Sequence, residues 1–172
     1  DNYTKIDNVI HCFGLDNLSS SDSIENLELA LNTGYLSLTF LAKSLLSNGY
    51  AEDIHFQVLT KQVAKIDEQQ ALEPLKATCL GALKVISVEY DNLSCRLINL
   101  APEFPNERDI LGIITDELGA QEEEIIVSYH KENRYVPGFK KTIPSSSAKR
   151  ALREGGCYLI PGGLGGMGLA IA

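Results

Sequence analysis

Apolar residues along this chain recur with a strand period in some stretches and a helix period in others, and the two alternate as far as about residue 130. Ile6 to Phe13 predicts a first strand, ended by Gly14 and followed by a polar loop through Ser19 to Ser23 that is suited to cap a helix. From Ile24 the residues Leu27, Leu31, Leu38, Leu41, Ala42 and Leu45 recur at three, four and seven, the stripe of a long helix with one buried face. Ser47-Asn48-Gly49 closes it, and Ile54 to Thr60 predicts a second strand. Pro74 suits the first turn of the next helix, with Leu75, Cys79, Leu83, Ile86 and Tyr90 inward. Gly81 lies inside that helix at a cost of about 1 kcal/mol against alanine, which predicts close packing on a neighbour there. Ser94 to Leu100 predicts a third strand, Glu107 to Leu118 a helix with Ile110, Leu111, Ile114 and Leu118 inward, and Glu124 to His130 a fourth strand. Strands alternating with helices in this way predict a parallel sheet, helices on its faces and right-handed crossovers.

After Pro137-Gly138 the composition turns polar, from Lys140 to Ser147, and Ala148 to Glu154 is suited to a helical turn. A boundary is expected here. Tyr158 to Ile160 is then a short apolar run that stops at a glycine cluster, and Met167, Leu169, Ala170, Ile171 and Ala172 favour helix. The expected local structure is strand, tight turn, helix. Gly163, Gly165 and Gly168 fit G-x-G-x-x-G, and Gly162, Gly166 and Gly168 fit G-x-x-x-G-x-G. Both spacings need glycine because the turn uses backbone angles a Cβ disfavours and because a pyrophosphate must approach bare N–H groups. The candidate cofactor-binding residues are therefore Gly162, Gly163, Leu164, Gly165, Gly166, Met167 and Gly168. The ordinary alternative is a flexible Gly-rich tail.

A dinucleotide unit also needs a second strand and a ribose-selecting residue roughly 20 positions further on. The sequence ends four residues after Gly168 and does not begin with Met, so the expectation is a segment of a longer polypeptide that stops just inside a second nucleotide-binding unit. The fold class expected is α/β: a truncated Rossmann-like parallel sheet with helices on both faces, followed by the start of a second Rossmann unit.

Of 172 residues 44% are hydrophobic, enough for a real core, and the formal charge of −8 argues against a nucleic-acid partner. No apolar run approaches the roughly 18 residues of a membrane span, so a soluble, cytoplasmic protein is expected. Cys12, Cys79, Cys95 and Cys157 form no C-x-x-C and read as buried reduced thiols, and His11, His55 and His130 show no ligand spacing, so no metal is expected. His11 and Cys12 are neighbours on a strand, point to opposite faces, and cannot act as a dyad.

The stretches Thr60, Gly81 to Val85 with Glu89-Tyr90, Cys95 to Leu100, and Glu124 to Tyr129 with Arg134-Tyr135-Val136-Pro137 resemble the ketoreductase region of modular polyketide synthases, which also occurs in some hybrid peptide synthetases. Tyr158 to Gly168 is similar to that family's Y-L-I-T-G-G-L-G-G-[IL]-G, the most specific part. Two positions depart from the pattern: Asn99 stands where the family has Asp, and Pro161 where it has Thr. The resemblance implies a structural, non-catalytic subdomain over 1–139, a linker over 140–155, and the first strand, glycine turn and helix start of a short-chain-dehydrogenase-like catalytic subdomain over 156–172. It implies NADPH as hydride donor and a β-ketone on the phosphopantetheine arm of an acyl carrier protein as substrate. Neighbouring synthase domains and the remainder of the catalytic subdomain are the further implied partners. The family's catalytic Ser, Tyr and Lys lie beyond the glycine turn and match no position here, so the segment alone is expected to be inert. A non-enzymatic pseudo-ketoreductase scaffold is the alternative. The basic residues Lys140, Lys141, Lys149, Arg150 and Arg153 are candidates for contact with an acidic carrier protein.

Overall fold

The structure, a computed structural model, describes residues 5–16, 23–48, 53–102, 107–120, 124–131, 133–143 and 152–171. It divides into two compact units, Asp1–Gly138 and Phe139–Ala172.

The first unit is a five-stranded sheet in the order β1 (Asn8–Gly14), β2 (Ile54–Lys61), β3 (Leu93–Leu100), β4 (Ile126–His130) and β5 (Asn133–Tyr135). β1 to β4 are parallel, and β5 pairs antiparallel with β4. This is the expected α/β sheet, with an added antiparallel edge. Between β1 and β2 run α1 (Ile24–Ala30), a π-helical turn (Leu31–Leu36) and α2 (Ser37–Ser47). A 3-10 turn (Pro74–Ala77) leads into α3 (Thr78–Glu89), and α4 (Glu107–Gly119) joins β3 to β4. Alternation along the strands gives the sheet two apolar faces. Ile54, Phe56, Val58, Leu93, Cys95 and Leu97 meet α2 and α3 on one face, while Leu59, Ile98, Leu100 and Val127 meet Ile113 of α4 on the other. Helices thus cover both faces. All three crossovers step the same way across the sheet, so the one through α4 has the opposite hand to the other two, against the expectation of uniformly right-handed connections.

Three inward stripes differ from the periodicity. Upstream of α2 the buried residues are Ala30 and Asn26 rather than Leu31 and Leu27, because the π-helical turn inserts an extra residue and rotates the preceding face. In the 3-10 turn Lys76 is buried and Leu75 only partly so. In α4 Ile113 and Glu117 are buried while Leu111 and Leu118 are exposed, since Glu117 is held by basic partners beneath the helix. Gly81 has no neighbour within 4 Å of an added Cβ, so close packing is not what places glycine there. Close approach occurs instead at Gly14, where a Cβ would lie 2.7 Å from the Leu59 carbonyl beside an irregularity in the β1–β2 register.

Of the expected buried thiols, Cys79 and Cys95 are buried, but Cys12 and Cys157 are exposed. Cys12 is exposed where its neighbour His11 on β1 is buried. Among the described residues no group of acidic, His and Cys side chains could hold a metal, and no helix is long and apolar enough to cross a membrane.

Candidate functional site

The second unit contains the glycine turn. Tyr158 to Ile160 forms no strand, in contrast to the expectation. A strand needs a ladder partner for its N–H and C=O groups, and all described strands pair within the first unit. Pro161 besides lacks an N–H to offer. The expected helical turn before it falls partly outside the described residues, which leave out 144–151, and residues 152–155 are not helical.

The turn and helix start are formed as expected. Residues 161–164 turn, and α5 (Gly166–Ile171) follows. Gly163 N–H donates to the Ile160 carbonyl, Gly165 N–H to Gly162, and Leu169 N–H to Gly165, each at 2.9 Å. The Leu169 bond closes the first helical ring, so the amides of Gly166, Met167 and Gly168 precede it and have no intrahelical acceptor.

Glycine is required at identifiable places. Gly162 has φ +75°, which disfavours other residues. A Cβ on Gly168 would strike the Gly162 carbonyl and lie 2.5 Å from Gly163 Cα, and one on Gly163 would lie 2.9 Å from the Ile160 carbonyl. At Gly166 a Cβ would meet nothing within 4 Å. Gly168 ends both sequence spacings, and its role here is close packing of helix start on turn. The side chains of Leu164 and Met167 are exposed. An open depression of about 540 Å³ is lined by Tyr158, Ile160, Gly162, Gly163, Leu164 and Gly165. A turn that excludes Cβ atoms and presents successive amides fits a pyrophosphate.

In the first unit two buried polar clusters escaped the sequence. Glu117, 2% exposed, accepts from Arg134 Nε and Tyr129 Oη at 2.6 Å and from Arg96 Nη1 at 2.7 Å. Burial pushes its carboxyl up, but the Arg134 and Tyr129 hydrogen bonds and the two guanidinium charges outweigh this and hold it below the usual range. Burial and the same carboxylate push the Tyr129 phenol up. The second cluster is Asn99, whose Oδ1 accepts from Val63 N–H at 2.9 Å while its Nδ2 donates to the Ala64 carbonyl at 3.0 Å and Ser128 Oγ at 3.1 Å. His130 on the neighbouring strand contacts Gln70 of the same β2–α3 connection. Both clusters fix loops and helices to the sheet.

This is a Rossmann-like α/β unit followed by a glycine-rich turn. No family model matches the chain. Over 160 residues, 90% of this chain, it is 24% identical to a phenolphthiocerol/phthiocerol polyketide synthase from Mycobacterium tuberculosis. It is 26% identical over 144 residues, 82% of the chain, to the polyketide synthase PksN of Bacillus subtilis. The chain spans only 8% and 2% of those two proteins. Among solved structures it superposes with TM-score 0.78 and 21% identity on the adenylation, ketoreductase and pseudo Asub multidomain structure of a keto acid-selecting NRPS module, covering 96% of this chain and 14% of that one. The chain is a region similar to polyketide synthases, with the fold of a part of a module that contains a ketoreductase, in agreement with the resemblance carried by its motifs.

Proposed function

We propose that this chain is the structural half of a polyketide synthase ketoreductase together with the opening of its NADPH-binding half. Residues 1–139 serve as the supporting subdomain, 140–155 as linker, and 156–172 as the start of the catalytic subdomain. The observation that carries this reading is the glycine turn: Gly162 and Gly168 cannot carry a side chain without strain or collision, and the turn follows a Rossmann-like unit related to polyketide synthases. When bound, NADPH would supply a hydride for the β-ketone of a carrier-tethered acyl chain. The residues here would hold its pyrophosphate through the amides near Gly165, Gly166, Met167 and Gly168. They supply neither acid nor base, so the chain alone is inert. Acyl carrier protein, neighbouring synthase domains and a cytoplasmic setting belong to the same proposal.

The test measures NADPH consumption with a β-ketoacyl thioester by the purified chain and by the polypeptide that contains it. Turnover by the longer protein and none by the chain is expected. Turnover by the chain would refute its assignment as a support. Pro161 and the unpaired Tyr158 to Ile160 run favour one second reading, a pseudo-ketoreductase scaffold. An inactive longer protein lacking Tyr-x-x-x-Lys would select it.

A further inference from the structure

Three deeply buried polar side chains converge at the carboxyl ends of β1 and β2, where the π-helical turn and the 3-10 turn meet the sheet. His11 is 6% exposed, Thr60 0% and Lys76 7%, and His11 Nδ1, Thr60 Oγ1 and Lys76 Nζ each lack a hydrogen-bond partner in the protein. Lys76 Nζ does lie 2.8 Å from Glu73 Oε2, a contact of charges off the hydrogen-bond direction. All three side chains line one cavity of about 20 Å³, walled also by Gly14, Gly34 and Cys79.

The hydrogen bonds around His11 determine what the cavity takes. We assign the single Ser37 hydroxyl proton to its shortest contact, the Thr33 carbonyl at 2.6 Å, with the Gly34 carbonyl at 3.1 Å beside it, so that toward His11 Nε2, at 2.8 Å, Ser37 Oγ accepts. In that assignment Nε2 carries the ring proton. Burial also lowers the pKa of His11, favouring the neutral ring. Nδ1 is then an acceptor facing the cavity, Lys76 is a donor, and Thr60 is either. An anion would meet the Nδ1 lone pair, and a metal cation would meet the Lys76 ammonium. A ligand must donate and accept at once and be no larger than the cavity, which exceeds the roughly 10–15 Å³ that one water needs.

We propose that one ordered water is bound in this cavity, donating to His11 Nδ1, accepting from Lys76 Nζ and sharing a hydrogen bond with Thr60 Oγ1. It ties β1, β2 and the 3-10 turn to the start of α2 through the His11–Ser37 bond. Buried waters typically make about three such bonds.

The test is a water-to-protein Overhauser measurement on the isotope-labelled, folded chain. Cross-peaks from a long-lived water to the His11 ring protons and the Thr60 methyl are expected, with the His11 proton on Nε2 in a long-range nitrogen correlation. Thr60→Val keeps the side-chain shape, removes one partner, and should weaken or abolish the peak at His11. Absence of both peaks in the wild-type chain, or a proton on Nδ1, overturns the proposal. A His11 peak unchanged in Thr60→Val places the water elsewhere and overturns it too. If Thr60→Val does not fold, the wild-type spectrum decides alone.

Discussion

The Arg134 guanidinium on edge strand β5 lies 2.6 Å from the carboxylate of Glu117 on α4, which Arg96 of β3 approaches from another side at 2.7 Å. One buried carboxylate thereby joins the helix to strands β3, β4 and β5. Truncating one member of a buried charge group leaves the others uncompensated, so Glu117→Gln should lower unfolding free energy by about 3 kcal/mol, measured by denaturant titration. The folded pKa of Glu117 is depressed, so its contribution is full above the unfolded value of roughly 4.3 and is lost as pH falls through the lower folded one. The stability gap between wild type and Glu117→Gln should therefore narrow below about pH 4. A gap that stays constant through the acid range would contradict the charge assignment.

Asn99 uses both halves of its amide, and its Nδ2 donates twice. An aspartate, the residue the resembled family carries there, would face the Ala64 carbonyl with a second acceptor. Asn99→Asp should cost about 2 kcal/mol near neutral pH and less in acid, where a protonated carboxyl can donate again. Thermal melts at two pH values check the direction, and a neutral or stabilising effect at pH 7 would contradict it.

Two glycines in the first unit should respond oppositely to alanine. At Gly81 the added methyl meets nothing within 4 Å in the middle of α3, so Gly81→Ala should stabilise by about 1 kcal/mol. At Gly14 it would press on the Leu59 backbone and Thr60, and Gly14→Ala should destabilise by about 1–3 kcal/mol. Paired thermal melts test both signs.

Strands β2 and β3 and the α2 stripe are legible in the sequence because their apolar residues are buried in the period that it displays. Glu117 and Lys76 are not, because charged residues are placed outside by default; the partners of Glu117 (Arg96, Tyr129 and Arg134) lie on other elements, and Lys76 lines a cavity with residues of β1 and β2 that are remote in sequence. Arg134 stands out in the sequence only as part of the Arg134-Tyr135-Val136-Pro137 stretch that carries the resemblance, and its contact with Glu117 gives that residue a physical role. The π-helical turn carries no compositional mark, and its extra residue displaces the upstream stripe from the predicted positions. β5 is three residues long, too short for a periodic signal. In the second unit the glycine spacing foretells the turn. The Tyr158 to Ile160 run is apolar enough for a strand, but strand formation depends on a pairing partner that local pattern does not reveal.

The most direct measurement of the central claim is a fluorescence titration of NADPH against the polypeptide containing this chain, its Gly166→Ala variant and its Pro161→Thr variant. A methyl at Gly166 meets no protein atom within 4 Å, so its effect reports the bound phosphates rather than damage to the turn. Restoring the hydroxyl at 161 gains about 1 kcal/mol, roughly fivefold in affinity. Gly166→Ala is expected to weaken NADPH binding by more than Pro161→Thr strengthens it. Equal affinities for the parent and Gly166→Ala would contradict a working dinucleotide turn and leave the scaffold reading in its place.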